Sequence, residues 1–259
     1  MSGRFEGKKA VVTGGTHGMG LAIVRGLLDG GAEVVVTGRN EKTLEEARTA
    51  LKGTKSHVVR SDAASMADIA ALADLVQQRI GLVDHLFVNH GYAHFSELAE
   101  VTEESWDRHF NVNAKGAFFT VQALDPLLTK GGSVVFTTVA NDRVFPGMSA
   151  YSGSKEAVGA FAHVLAGEFL PRGIRVNSVA PGFIATPSMG MIGLTPEQRA
   201  EFVEEGNRAT PMGRAGTSEE VAAAALFLAA EATFSTNVEL AVDGGFAQGL
   251  SAEWAADSH

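Results

Sequence analysis

Lys8-Lys9-Ala10-Val11-Val12-Thr13-Gly14-Gly15-Thr16-His17-Gly18-Met19-Gly20 is a β-branched run that ends in a cluster of glycines. The run reads as a short buried strand. Leu21, Ile23, Val24, Leu27 and Leu28 follow at helical spacing, so Met19–Leu28 reads as a helix, stopped by Gly30-Gly31. Strand, glycine turn and helix in that order open a nucleotide-binding βαβ unit. The glycines at 14, 18 and 20 are spaced more widely than in GxGxxG, but the physics is the same. A tight turn needs glycine, the backbone must approach a pyrophosphate, and the helix offers free N–H groups and a positive dipole end.

The alternation continues outward from this stretch. Glu33–Thr37, Ser56–Arg60, Asp84–Val88, Gly132–Thr138, Gly173–Val179 and Glu239–Val242 read as further strands. Glu41–Leu51, Met66–Ile80, Glu103–Leu124, Tyr151–Phe169 and Ser218–Ala229 read as helices, the last capped by Thr217 or Ser218. Continuous apolar strands suit a parallel sheet covered on both faces. The expected architecture is one doubly wound α/β domain over residues 1–259. The long stretch 180–214 reads as irregular, rich in Pro, Gly and Met, and loops of that length usually act as lids or binding loops. The tail after Gly245 has no clear pattern.

Composition narrows the function. Apolar residues make up 45% and charged residues 20% of the 259, which excludes a largely disordered chain. Thirty glycines without a collagen-like period must serve turns and close backbone approaches. The net charge of −9 gives no overall attraction for nucleic acid or an anionic membrane. The absence of cysteine excludes disulfides, thiolate catalysis and cysteine-ligated metals. No run approaches the ~18 apolar residues of a membrane span, and the first residues lack the apolar core of a secretory leader. A cytoplasmic protein is expected.

The second strand ends in Gly38-Arg39, 19 residues after Gly20. This is near the spacing at which such folds test the adenosine ribose. An acid there would accept from the 2′-hydroxyl and repel a 2′-phosphate, whereas a guanidinium offers a phosphate a fork of donors. Arg39 is read as a phosphate ligand, and a solvated loop arginine is the competing reading. His17 would add a donor when protonated, or is a turn residue. Asp62 and Asn89-His90-Gly91 fall at later strand ends, where ligands bind in open parallel sheets. Asp62 either accepts from the adenine amino group or caps the helix beginning at Ser65.

Tyr151-Ser152-Gly153-Ser154-Lys155 opens a helix, and positions i and i+4 share one face. A lysine near a phenol favours the phenolate and lowers a pKa that is otherwise ~10, which makes Tyr151 a proton donor or acceptor. Thirteen residues upstream a strand ends in Thr137-Thr138, where a hydroxyl can bind a carbonyl oxygen.

These segments, with Asn111-Val112-Asn113-Ala114-Lys115-Gly116, RVNSVAPG from Arg175 and Val242-Asp243-Gly244-Gly245, resemble the short-chain dehydrogenase/reductase family over nearly the whole chain. The nearest pattern is that of β-ketoacyl-acyl carrier protein reductase-like members. The resemblance implies a Rossmann sheet of about seven parallel strands that binds NADP(H) in preference to NAD(H). It implies cofactor contacts from Gly14, Thr16, His17, Gly18, Met19, Gly20, Arg39, Asp62, Ala63, Asn89 and Gly91, and from Pro181, Gly182, Ile184 and Thr186. It makes Tyr151 the general acid/base and gives the nicotinamide ribose to Lys155, which also lowers the Tyr151 pKa. Asn113 holds a water linked to Lys155, with Asn111 as the alternative. Thr138 replaces the family's usual serine, with Thr137 as the substitute, and His90 replaces its alanine.

Phe183 through Pro211 is expected to cover the substrate, with Met189, Met191, Ile192 and Phe202 either a greasy lid or core. Further substrate contacts are expected from Asn141, Asp142, Val144, His94 and Met148. The family is usually a homotetramer. Phe234-Ser235-Thr236-Asn237 departs from its pattern near a common subunit contact, which leaves a dimer open.

The function expected is reduction of a small-molecule ketone to a secondary alcohol, or the reverse. The alternatives are a catalytically weak nucleotide sensor on the same fold and a β-ketoacyl-acyl carrier protein reductase. The acidic balance argues against the latter, because acyl carrier proteins are themselves acidic. A methyltransferase on the same sheet has no use for the Tyr151/Lys155 pair.

Overall fold

The computed structural model describes residues 3–141, 145–186, 195–247 and 250. In chain order the elements are β1 (Lys9–Thr13), α1 (Gly18–Asp29), β2 (Glu33–Gly38), α2 (Glu41–Ala50), β3 (Ser56–Arg60), α3 (Met66–Arg79), β4 (Val83–Val88) and α4 (Glu103–His109). They continue with α5 (Gly116–Leu124), β5 (Leu128–Thr137), α6 (Ser149–Phe169), β6 (Arg175–Pro181), α7 (Pro196–Ala209), α8 (Ser218–Ala230) and β7 (Glu239–Val242). The seven strands form one parallel sheet in the order β3-β2-β1-β4-β5-β6-β7. The chain reverses direction across the sheet between β1 and β4, and ligands of open α/β sheets bind at the carboxyl ends of the strands at such a switch.

Strand periodicity divides the core into two layers. Val11, Val35, Leu86, Val88, Val134 and Phe136 pack on α3, α5 and α6. Val12, Val34, Val36, Phe87, Val135 and Val179 pack on α1 and α8. Neighbouring residues of one strand therefore supply opposite layers, as the two-residue repeat requires. Burial on both faces explains why the strands read as unbroken apolar runs.

Two expectations need correction. The stretch 180–214 is not wholly irregular, because it contains α7. Thr195 accepts from the Gln198 N–H, Gln198 reaches back to the Thr195 N–H, and Pro196 sits in the first turn. This is a capping box whose Thr-Pro-x-Gln signature was present in the sequence. The helix expected over Glu103–Leu124 is interrupted by a π-helical turn at Phe110–Lys115 that carries Asn113. Such turns insert a residue into the ladder and are frequent at functional sites. Met189, Met191 and Ile192 of the expected lid, and Asp142 and Val144, lie outside the described residues.

Candidate active site

One cavity of about 1110 Å³ lies along the carboxyl ends of β1, β2, β4, β5 and β6. Its size exceeds that of a typical small-molecule site and suits a dinucleotide with a second ligand. Fifteen of the expected cofactor residues line it: Gly14, Thr16, His17, Gly18, Met19, Gly20, Arg39, Asp62, Ala63, Asn89, Gly91, Pro181, Gly182, Ile184 and Thr186. Tyr151, Lys155 and Thr138 line it too.

At the β1–α1 turn the backbone is arranged for close approach. Gly14 has φ +63°, and a Cβ on Gly20 would stand 2.2 Å from the Gly14 carbonyl oxygen. The α1 N-terminus has no side-chain cap at His17 and no acid in its first turn. In contrast, α2, α3 and α8 are capped by Asn40, Ser65 and Thr217. Uncapped N–H groups at a positive dipole end, beside side-chain-free backbone, fit a pyrophosphate. Asn89 fastens the strand ends: its Nδ2 donates to the Gly14 carbonyl at 3.1 Å, and its Oδ1 accepts from Thr137 Oγ1 at 3.2 Å. Thr137 is thereby a framework residue rather than a substitute for Thr138. His90 Nδ1 lies 2.7 Å from Thr13 Oγ1, while its buried Nε2 has no partner among the described residues. Burial, and then the Lys155 charge, hold the His90 pKa down at about 4.

At the adenosine end Arg39 is exposed at the rim. Thr16 Oγ1 donates to Thr43 Oγ1 at 3.2 Å and lies 3.3 Å from His17 Nδ1. A Cβ on Gly38 would come within 2.6 Å of Thr16 Cγ2, so Thr16 fills the space that an acidic side chain at 38 would need. Burial lowers the His17 pKa, with the Glu46 charge opposing it. Asp62 Oδ1 accepts from the Ala64 N–H at 3.0 Å and shapes the turn before Ser65, the true cap of α3. Thr43 and Glu46 escaped the sequence reading because they belong to α2, which carried no glycine or charge signal toward the site.

At the chemical centre Tyr151 and Lys155 stand one turn apart on α6, both facing the cavity. Tyr151 Oη makes no hydrogen bond to another described residue, and its ring meets Phe95 edge-on at 5.7 Å. Burial pushes the phenol up to about 12, opposite to the lowering expected from Lys155. The charge of a lysine one turn away is legible in sequence, whereas the burial of the phenol is not. Burial likewise brings Lys155 down to about 8, and its Nζ donates to the Thr137 carbonyl at 2.8 Å. Asn113 is buried, accepting from the Tyr92 N–H at 2.7 Å and donating to the Tyr92 carbonyl and Ser154 Oγ, each at 2.9 Å. The position of a Cβ on Gly91 lies 3.4 Å from Lys155 Nζ and 3.6 Å from Asn113 Oδ1. A side chain at position 91 would thus touch both groups. Neither Asn113 nor Asn111, the alternative, is among the residues that line the cavity, and it is Asn113 that lies near Gly91.

Thr138 differs from expectation. Its hydroxyl lies 3.0 Å from the Val179 carbonyl and 2.7 Å from Glu239 Oε2, two acceptors for one proton. The residue is at the site, but its hydroxyl is engaged by the sheet rather than presented to a substrate. Glu239, distant in sequence by 101 residues, had no signal that pointed to this contact. Met148 lines the cavity as expected. Asn141 instead donates to Glu156 at 2.7 Å, and the His94 N–H donates to His109 Nε2 at 3.1 Å; neither lines the cavity.

Comparison with known proteins agrees with this architecture. A family model described as Enoyl-(Acyl carrier protein) reductase matches residues 14–247. An uncharacterised oxidoreductase of Methylorubrum extorquens is 36% identical over 249 residues, covering 93% of this chain and 98% of the relative. The NADP-dependent (R)-specific alcohol dehydrogenase of Lentilactobacillus kefiri is 33% identical, covering 95% of this chain and 99% of its own. A solved structure of a Serratia marcescens short-chain dehydrogenase/reductase double mutant superposes with TM-score 0.85 at 28% identity, covering 94% of this chain and 99% of that one. No helix among the described residues is long and apolar enough to cross a membrane.

Proposed function

This chain belongs to the short-chain dehydrogenase/reductase family, and from that premise we propose that it is an NADP(H)-dependent oxidoreductase interconverting a ketone and a secondary alcohol. The observation that carries the reading is a phenol and an ammonium one helical turn apart, lining the same cavity as an uncapped glycine-rich helix start. The bound cofactor supplies or accepts the hydride. The protein holds the other groups in place and moves the proton.

Gly14 through Gly20 and the α1 N-terminus would hold the pyrophosphate, and Arg39 the 2′-phosphate. Asp62, Ala63, Asn89 and Gly91 would line the adenosine and ribose, and Pro181, Gly182, Ile184 and Thr186 the nicotinamide. Lys155 would hold the nicotinamide ribose. Tyr151 donates its proton to the carbonyl oxygen in reduction, a role suited to a buried phenol that is protonated at neutral pH. Gly91 adjoins both Lys155 and Asn113, and we infer a water between them that leads protons toward the phenol. For Thr138 to hold the substrate oxygen, its hydroxyl must leave Val179 and Glu239.

We also infer a single cofactor-binding domain over residues 1–259, with 183–211 covering the substrate, in a homo-oligomer. Exposed Phe118, Val164 and Leu170 on one side and Phe227, Phe234 and Val238 on another support the oligomer. The engaged Thr138 hydroxyl favours a second reading, a nucleotide sensor with weak turnover. Ketone-dependent NADPH oxidation separates the two: turnover abolished in Tyr151→Phe supports the enzyme, whereas NADPH binding without turnover on any ketone supports the sensor.

A further inference from the structure

The half of the cavity beyond Tyr151 has a composition of its own. Phe95, Phe145, Met148, Phe183, Phe202 and Phe246 line it. They come from segments that follow β4, β5, β6 and β7, and from α7 itself. The rings of Phe145 and Phe246 stack with centroids 5.6 Å apart and planes 9° from parallel. Phe183 meets both edge-on, at 5.7 and 5.2 Å, and tilts against Phe202 at 5.3 Å. Gly206 allows this packing, since a Cβ there would press within 2.9 Å of the Phe183 ring.

These rings are not ordinary core. Phe145, Phe183 and Phe246 form a small cluster apart from the two sheet layers, with buried Ala140, Ala180 and Ala247; Phe202 packs on Phe183, and Phe95 stands against Tyr151. Phe145, Phe183, Phe202 and Phe95 remain half-exposed, and the cavity is the space they border. Aromatic rings in such an enclosure favour a flat apolar guest that meets them by edge or offset face.

Polar groups are scarce by comparison. The Thr138 hydroxyl is taken by Val179 and Glu239, and the Asn113 amide by Tyr92 and Ser154. Among the uncharged polar side chains here, Tyr151 Oη has no described partner. The described charged residues bordering this half are Arg199 and Glu205 of α7, of opposite sign. Nothing among them selects a net charge, and one basic residue beside one acid is a poor seat for the phosphate of a carrier arm.

Resting on the proposed redox reading, we propose that the substrate is an uncharged, planar aryl ketone, or the corresponding aryl carbinol. Its oxygen lies on Tyr151 and its ring among the phenylalanines. The class is set by Phe95, Phe145, Phe183, Phe202 and Phe246 rather than by hydrogen bonds.

Acetophenone and cyclohexyl methyl ketone share one carbon skeleton and differ in aromaticity, so they isolate the ring. The full-length protein with NADPH should show kcat/KM at least about tenfold higher for acetophenone, although conjugation makes its carbonyl the less electrophilic. The N-acetylcysteamine thioester of acetoacetate, a surrogate for a β-ketoacyl carrier substrate, should be poorer than acetophenone. Phe145→Leu and Phe95→Leu should each lower the aryl-to-cyclohexyl ratio about threefold, with NADPH affinity, read by fluorescence titration, unchanged. Equal or better turnover of the cyclohexyl ketone or of the thioester overturns the proposal while leaving the redox reading intact. If no ketone oxidises NADPH, the redox reading fails, and calorimetric binding of the two ketones to the protein decides the class. Tighter binding of acetophenone upholds it, and equal or weaker binding overturns it.

Discussion

The two halves of the cavity are built by different means. The cofactor half is made of backbone: the turn from Gly14 to Gly20, the uncapped start of α1, and strand ends tied together through Asn89. The substrate half is made of side chains contributed by segments that follow four strands and by one further helix. Backbone sites tolerate little change, because an added Cβ collides with main chain. Side-chain sites can change their guest by exchanging one ring for another. The comparison teaches that the two halves answer to different substitutions: added bulk at the glycines, exchanged rings at the phenylalanines.

The largest effect is expected at the join of the two halves. Tyr151→Phe removes the phenol proton and keeps the ring against Phe95. Ketone-dependent NADPH oxidation should fall about 10²–10⁴-fold, with NADPH affinity within twofold of the parent. Loss of NADPH affinity to the same degree would mean that the two halves are not separable. Direction should also respond to pH. A phenol held near 12 by burial is ready to donate at neutral pH, so reduction needs no alkali, whereas alcohol oxidation should rise as pH rises.

What could be read in the sequence follows the same division. The Gly14–Gly20 turn was legible because each glycine answers a local backbone demand next to a strand and a helix. Tyr151 and Lys155 were legible because i and i+4 is a local relation. Thr138 was placed at the correct strand end, but the direction of its hydroxyl is decided by Glu239, which reaches it through β7 on the far side of β6. The upward shift of the Tyr151 phenol needed the burial, and the phenylalanine cluster needed the strand order. Neither is a local property. α7 is the exception, a local capping box set among Pro, Gly and Met that favour a loop.

A second test asks whether acid disables the cofactor half through its own turn or through the framework. His85 and His90 lie at opposite ends of the β4 segment, and burial holds both near 4. A free histidine titrates near ~6.5. The unfolded chain therefore takes up protons below ~6.5 that the native His85 refuses until about 4, so stability is full above this window and lost as pH falls through it. At roughly 1.4 kcal/mol per unit, His85 alone accounts for about 3 kcal/mol. His85→Gln should flatten the decline of melting temperature between pH 6.5 and 4 while leaving NADPH affinity at pH 7 unchanged. An unaltered decline would move the acid response to the other histidines that burial holds down, His17, His90 and His109.

The adenosine rim allows a steric test. Gly38→Asp alone drives a side chain into Thr16 and should weaken NADPH and NADH alike, by about tenfold or more. Adding Thr16→Gly clears the space, so the double variant should recover NADH binding while NADPH stays weak, since an acid beside a 2′-phosphate is repelled. If Gly38→Asp alone gained NADH as well as the double variant, Thr16 would have no part in cofactor choice.

The smallest effect is expected at Arg39, a proposed cofactor contact made by an exposed side chain rather than by backbone. It is exposed and forms no ion pair among the described residues, so its charge is available to a ligand but is screened by solvent and salt. Arg39→Asp should shift the NADPH-to-NADH affinity ratio toward NADH by about tenfold at low ionic strength, the scale of one exposed charge-assisted contact. Because the Debye length shrinks from ~10 Å at 0.1 M to ~3 Å at 1 M, the shift should contract to a few-fold in high salt. A backbone contact would show no such contraction. A shift that persists at 1 M salt would put Arg39 in direct, desolvated contact with the phosphate, and an unchanged ratio at low salt would remove it from the site.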